Sequence, residues 1–127
     1  MSNINIKNET NGDIKISDEV IATIASVATK EIQGIAGLTL SFTEEITSKF
    51  IKKNATKAIK VASDDNNIEI NISVVVKYGI NIPEVSSEVQ ENVKKAVETM
   101  AGLNVLKVNV IVAGVEFESD ETNSLPN

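Results

Sequence analysis

The side chains that could do chemistry in this chain are carboxylates, lysines, hydroxyls and a single tyrosine, Tyr78. The 127 residues contain no histidine, cysteine or tryptophan, and all 12 cations are lysines. The commonest general base, the thiolate nucleophile and the usual transition-metal ligands are therefore missing. The remaining groups stand at no spacing that is typical of an active site. We expect a protein that is not an enzyme and that needs no cofactor or metal ion.

A cluster of lysines, the basic segment (residues 49–60), interrupts an otherwise acidic chain whose formal net charge is −6. It lies beside Ile46 and Ile51, so it could form an amphipathic helix that binds an acidic partner or an anionic membrane surface. The alternative is an ordinary helix whose lysines are only solvated. The residues predicted to bind a partner are Lys49, Phe50, Lys52, Lys53, Lys57 and Lys60.

Two short motifs are similar to ligand sites but fit structural roles better. Gly34-Ile-Ala-Gly37 is similar to the loop with which KH domains clamp a nucleic-acid backbone, yet both of its inner residues are apolar. Termination of a helix explains these two glycines better. Asp64-Asp-Asn-Asn67 lacks the spacing and the distal glutamate of an EF-hand loop, and instead predicts a hairpin turn.

The first half of the chain predicts a strand, a long helix, a second strand and a short helix. Alternation predicts a strand at residues 13–16, and Ser17 stands at the N-cap of the helix that follows. This helix should end near Gly34 or Gly37, before an apolar strand at residues 38–42 and a brief helix. The buried face of the long helix is predicted to consist of Val20, Ile24, Val27, Ala28 and Ile32.

The second half predicts a β-hairpin, a second long helix and a last strand. Residues 57–62 form the first hairpin strand; Asn81 and Pro83 begin the helix, and Gly102 ends it. The second hairpin strand should bury Ile68, Ile70, Ile72, Val74, Val76 and Tyr78. The helix should bury Val85, Val89, Val93, Val97 and Met100. The last strand, with a bulge at Gly114, should bury Leu106, Val108, Val110 and Val112.

Together these elements predict a single two-layer α+β domain. A mixed sheet of about four or five strands should be covered by two long helices and one short helix. The long helices align at an offset of 65 residues, Glu19 with Glu84, which suggests an internal β-α-β repeat. We expect residues 1–11 to be a flexible segment in which Ile4 and Ile6 could extend the first strand. Residues 12–117 should be the domain, and residues 118–127 a flexible acidic tail.

The stretch Val76-Lys-Tyr-Gly-Ile-Asn-Ile-Pro-Glu-Val85, followed by Met100-Ala-Gly-Leu103, carries a resemblance to a known family. Together with Gly12-Asp-Ile-Lys-Ile-Ser-Asp-Glu-Val-Ile21, it resembles the alkaline-shock and general-stress proteins of Gram-positive bacteria, which are also described as envelope-stress-response proteins. No catalytic residues are assigned to that family. The resemblance therefore implies structural roles for the residues of this chain that match the family motif. These are Tyr78, Gly79, Asn81, Pro83, Glu84 and Gly102.

The resemblance implies a non-enzymatic protein of cell-envelope or membrane-lipid homeostasis and stress response, which acts as a scaffold or regulator by protein–protein binding and self-association. The implied partner is a membrane-anchored protein or a lipid-synthesis enzyme. The first alternative is direct regulation of a fatty-acid or phospholipid synthesis enzyme. The second is a nucleic-acid-binding module, which the net charge of −6 disfavours.

The sequence also predicts where the protein works. No apolar run approaches the ~20 residues that a membrane span needs, and the N-terminus lacks the pattern of a signal peptide. We therefore expect a cytoplasmic protein without direct transmembrane insertion, which a partner can recruit to the inner face of the cell membrane.

Overall fold

The computed structural model describes residues 3–6, 11–38 and 58–117. Along the chain these residues form β1 (Asn3–Ile6), β2 (Ile14–Ser17), α1 (Asp18–Lys30), β3 (Ile35–Leu38), β4 (Ile59–Asp64), β5 (Asn67–Lys77), α2 (Ile82–Ala101) and β6 (Asn104–Glu116). The predicted short helix, the acidic tail and all of the basic segment except Lys60 lie outside these ranges.

Strand β5 is the centre of the main sheet. Along one edge it pairs antiparallel with β4 and, further on, with β3; along the other edge it pairs parallel with β6. Asp65, at φ 59°, turns the chain between β4 and β5, as the hairpin prediction requires. The parallel pairing of β5 and β6 needs a crossover, which α2 provides. The predicted mixed sheet in an α+β domain is thus confirmed.

The core lies between one face of this sheet and the two helices. Every second residue of β5 is buried, and α2 buries a stripe with a strict spacing of four that begins at Val85 and ends at Ala101. Helix α1 lies against β3, β4 and α2, and the Asn92 amide of α2 donates to the Ala28 carbonyl of α1 at 2.8 Å. The two helices therefore cover the same face of the sheet.

The first half of the chain differs from the second in its strand pairing. Strand β2 pairs antiparallel with β1 in a separate two-stranded sheet, so Ile4 and Ile6 lie on a strand of their own and do not extend β2. Strand β3 begins at Ile35 and not at residue 38, and it runs antiparallel to β5. Within the described residues, only β5, α2 and β6 therefore form a β-α-β unit in the main sheet.

The predicted buried face of α1 is wrong in part. Val20 and Val27 are 48% and 55% exposed, although Ala28 is buried and Ile24 and Ile32 pack at the margin of the core. The inward face carries Ile21 and small residues, chiefly Ala22, Ala25 and Ala28. Small side chains let a helix approach its neighbours closely. The prediction followed the large aliphatic residues and so selected a face rotated toward solvent.

Three other residues predicted to be buried are exposed: Tyr78, Met100 and Leu106. Tyr78 follows the end of β5, where the chain turns away from the sheet. Beyond Val97 the stripe of α2 continues to Ala101 instead of Met100. Leu106 is the extra residue at a register shift between β5 and β6, so Val105 takes the buried position.

Candidate protein-binding surface

The strand-to-helix joint (residues 77–84) connects β5 to α2. Residues of the joint itself make its tight turn and cap the helix. Gly79 has φ 96°, a conformation that residues with a Cβ rarely adopt. The Asn81 side chain accepts a hydrogen bond from the Glu84 N–H at 3.0 Å and so caps α2, and Pro83 lies in the first turn. Gly79, Asn81 and Pro83 therefore set the geometry of the joint.

The ring of Tyr78 stacks on that of Phe117 at the surface. The ring centroids are 4.9 Å apart with an interplanar angle of 30°, and each residue is 69% exposed. The Tyr78 N–H donates to the Glu116 carbonyl at 2.9 Å, so the end of β5 holds the end of β6 beside it. Two adjacent aromatic rings on a fixed backbone form an exposed apolar surface, which we call the aromatic pair.

An open cleft of about 480 Å³ lies at the same joint. Its charged lining residues are Lys77, Glu84 and Glu88, and its apolar ones include Ile80 and Val85. Gly34 also lines the cleft, and its carbonyl accepts a hydrogen bond from the Lys77 N–H at 2.9 Å. The cleft therefore offers mixed polar and apolar contacts next to the joint, and the loop after α1 forms part of its wall.

Side chains of α2 cap the first part of the outer edge of β6. Lys94 Nζ donates to the Val105 carbonyl at 2.9 Å, and the Val105 N–H donates to Glu98 Oε2 at 3.0 Å. Gln90 Nε2 donates to the Val108 carbonyl at 3.0 Å. Unpaired backbone groups at a sheet edge are a template for unwanted pairing. The helix therefore protects this end of the sheet.

We expect Glu98→Gln to lower the free energy of unfolding at neutral pH and to flatten its dependence on acid pH. The pKa of Glu98 is lowered from 4.5, first by the hydrogen bond from the Val105 N–H and then by Lys94 at 3.1 Å. A carboxyl with a lowered pKa in the folded state contributes stability that is fully present above its unfolded pKa. This contribution disappears as the pH falls through the folded pKa.

The measurement is chemical denaturation at a series of pH values from neutral to about pH 2. Glu91→Gln is the control, since Glu91 is an exposed carboxylate on the same helix. The stability curves of Glu98→Gln and the unmodified chain should converge at the acid end. Parallel curves over the whole range would contradict this role of Glu98.

Most of the residues singled out from the sequence can now be placed. Lys60 is exposed on β4, and Gly102, at φ 71°, ends α2 with its N–H donating to the Glu98 carbonyl at 3.0 Å. The basic segment before Ala58 stays a prediction. The sequence did not indicate the pairing of Phe117 with Tyr78, which lie 39 positions apart, nor the edge cap made by Gln90. The i, i+4 spacing of Lys94 and Glu98 was the one available signal for the cap.

Two further features bear on the kind of site. Within residues 11–38 and 58–117, no group of three or more acidic side chains is placed to hold a metal ion. In the same part of the chain, no helix is both long enough and apolar enough to cross a membrane.

The sequence of this chain is similar to known proteins over the same elements. A family model, the alkaline shock protein 23 family of cell envelope-related function, matches residues 6–117. The uncharacterized protein YqhY of Bacillus subtilis is 33% identical over 108 residues, which cover 85% of this chain and 80% of YqhY. YloU of the same bacterium is 36% identical over 106 residues, covering 82% of this chain and 88% of YloU. A stress response regulator gls24 homolog of Streptococcus pyogenes is 21% identical over 117 residues, covering 88% of this chain and 65% of that protein.

Proposed function

This chain belongs to the alkaline shock protein 23 family, whose function is cell envelope-related, and from that premise we propose that it is a non-enzymatic scaffold or regulator that binds other proteins. Its relatives include proteins named as stress response regulators. The absence of histidine, cysteine and arginine from the sequence supports a binding role over catalysis. The proposed partner is a protein of the cell envelope, which would recruit this chain to the inner face of the membrane.

The aromatic pair is the observation that carries this proposal. Tyr78 and Phe117 are each 69% exposed, although aromatic side chains gain much free energy when they leave water. Tyrosine and phenylalanine are also enriched in the buried centres of protein interfaces. A partner that covers both rings would gain the apolar area that the isolated chain leaves in contact with water.

The joint supports a role in protein binding because it fixes the position of the rings in the unbound protein. The backbone hydrogen bond between Tyr78 and Glu116, the cap at Asn81 and the tight turn at Gly79 all limit the motion of Tyr78. A rigid aromatic anchor loses little conformational entropy on binding. The adjacent cleft adds polar groups at the rim, where interfaces obtain much of their specificity.

Site-specific photo-crosslinking in living cells tests this proposal. A benzophenone amino acid at position 78 is compared with the same residue at position 100, because Tyr78 and Met100 are equally exposed at 69%. We expect position 78 to give a discrete crosslinked protein from the envelope fraction and position 100 to give none. The same products from both positions, or none from position 78, would contradict the proposal.

A second variant shows whether the crosslinked protein binds the aromatic pair or only lies near it. Phe117→Ser removes the ring beside position 78 and should reduce the yield of the discrete product by about tenfold, as expected when one member of an interface hot spot is lost. Its thermal unfolding should stay close to that of the unmodified chain, because Phe117 is largely exposed. The identity of the product also decides the role: a membrane anchor supports a scaffold, and a lipid-synthesis enzyme supports a direct regulator.

A further inference from the structure

The two halves of the outer edge of β6 differ in whether side chains of α2 bond to their backbone groups. Residues of a strand whose side chains share a face also direct their N–H and C=O groups to the same edge. Both outward groups of the helix-facing residue Val105 bond to Lys94 and Glu98 of α2, and the carbonyl of Val108 accepts a hydrogen bond from Gln90. The next outward groups belong to Val110, Val112 and Val115. Within the described ranges, no side chain bonds to them.

From this open half-edge we infer that two copies of the chain pair through β6, antiparallel and about a two-fold axis at Ile111. The inference rests on the proposed function only in taking this chain to work by protein binding. The proposed partner is a second copy of the chain, and it binds at the β6 edge and not at the aromatic pair. The result is one continuous sheet across two copies, with β6 of each copy at its centre.

The charges along β6 favour a second copy over an unrelated peptide. Within one copy, Lys107 lies opposite Glu69 and Glu116 opposite Lys77 on β5, so all four side chains share the face of the sheet away from the helices. A two-fold axis at Ile111, with Ala113 omitted as the bulge residue, sets Lys107 of one copy opposite Glu116 of the other. A cross-strand row of alternating sign then runs Glu69, Lys107, Glu116, Lys77 across the two copies. Opposite charges directly across a sheet are stabilising, and like charges are not.

The same register also matches the apolar residues. Ile111, which is 48% exposed, lies opposite Ile111 of the other copy at the axis. Val110 lies opposite Val112, and Val108 opposite Val115, all on the helix-facing side. The Val108 carbonyl can keep its bond from Gln90, since a carbonyl oxygen has two lone pairs. A register shifted by one residue would set apolar side chains opposite charged ones, so this pairing is specified.

Disulfide trapping tests the geometry directly, because the chain has no cysteine. Ile111→Cys places two thiols across the axis, where neighbouring strands bring Cα atoms to about 4.5–5.5 Å, within the range of a disulfide. Leu106→Cys is the matched control: it is also an exposed β6 position, but its two copies would be about 30 Å apart. Under mild oxidation we expect a covalent dimer from Ile111→Cys only. Equal crosslinking of the two variants, or none from Ile111→Cys, would overturn the inference.

Charge reversal gives an independent test of the register. Lys107→Glu and Glu116→Lys should each weaken self-association by about tenfold, because each creates two like-charge contacts across the axis. The double variant should recover to within about threefold of the unmodified chain. Lys95→Glu, on the exposed side of α2, changes the net charge by the same amount as Lys107→Glu and should have no effect.

Sedimentation equilibrium measures these dissociation constants. A chain that stays monomeric up to millimolar concentration, or a double variant that associates no better than the single ones, would refute the β6 pairing, and the edge would then belong to another partner. Photo-crosslinking from position 78 does not depend on this result, so failure of the dimer and failure of the proposed function are distinguishable.

Discussion

Ile70→Ala is expected to lower the free energy of unfolding by about 2–5 kcal/mol, the range observed when a large buried aliphatic side chain is truncated. Ile70 is fully buried on the central strand, opposite Val61 of β4 and Val108 of β6, and its side chain belongs to the core beneath both helices. Packed elements on every side limit how far the cavity can collapse. Urea denaturation followed by circular dichroism measures the change.

Two comparison variants show that burial is the cause. Ile70→Val removes one methylene group and should cost about 0.5–1.5 kcal/mol. Val27→Ala removes two methyl groups from the residue of α1 that is 55% exposed, and should change stability by less than about 0.5 kcal/mol. If Val27→Ala were as costly as Ile70→Ala, the orientation of α1 described above would be wrong.

Gly34→Ala is expected to destabilise the protein by about 2–6 kcal/mol through two separate effects. Gly34 has φ 101°, where a residue with a Cβ is strained by about 1–3 kcal/mol. A Cβ built at this position would also lie 3.0 Å from Val85 Cγ2, at the start of the buried stripe of α2. Overpacking of this kind costs about another 1–3 kcal/mol, because the Val85 side chain must give way by a few tenths of an ångström.

Gly79→Ala separates the two effects. Gly79 has φ 96°, close to that of Gly34, but a Cβ there would meet nothing within 4 Å. Its substitution should therefore show the backbone strain alone. Combining Gly34→Ala with Val85→Ala should cost less than the sum of the two single changes, since the smaller side chain relieves the contact. Additive costs in this double-mutant cycle, measured by thermal and urea unfolding, would exclude the contact with Val85.

Glycine at position 34 also links stability to the proposed binding surface. Its carbonyl accepts the Lys77 N–H, and the same residue lines the cleft beside the aromatic pair. A change at this position should therefore disturb the end of β5 from which Tyr78 projects. This coupling explains why the loop after α1 and the joint before α2, far apart in sequence, must be considered as one structural unit.

The sequence alone determined the family and most of the elements that the structure describes. The strict alternation of β5, the cap at Asn81 and the left-handed glycine at position 102 depend on contacts within a few residues, and each is present as predicted. The family signature is likewise local, and the match over residues 6–117 confirms it. Patterns of this kind reflect the geometry of one strand or one helix, which a linear sequence contains in full.

Only the tertiary structure decided which of those residues meet solvent and which meet each other. The aliphatic residues of α1 allow more than one inward face, and the choice depends on how closely small alanines let it approach the sheet and α2. Tyr78 and Phe117 become neighbours because β5 and β6 run parallel and end together. Among the described residues, side chains of α2 bond to β6 only at Val105 and Val108, which leaves the other half of its outer edge open. Such contacts between distant segments depend on strand order and on the position of the helices above the sheet, which periodicity along the chain does not encode.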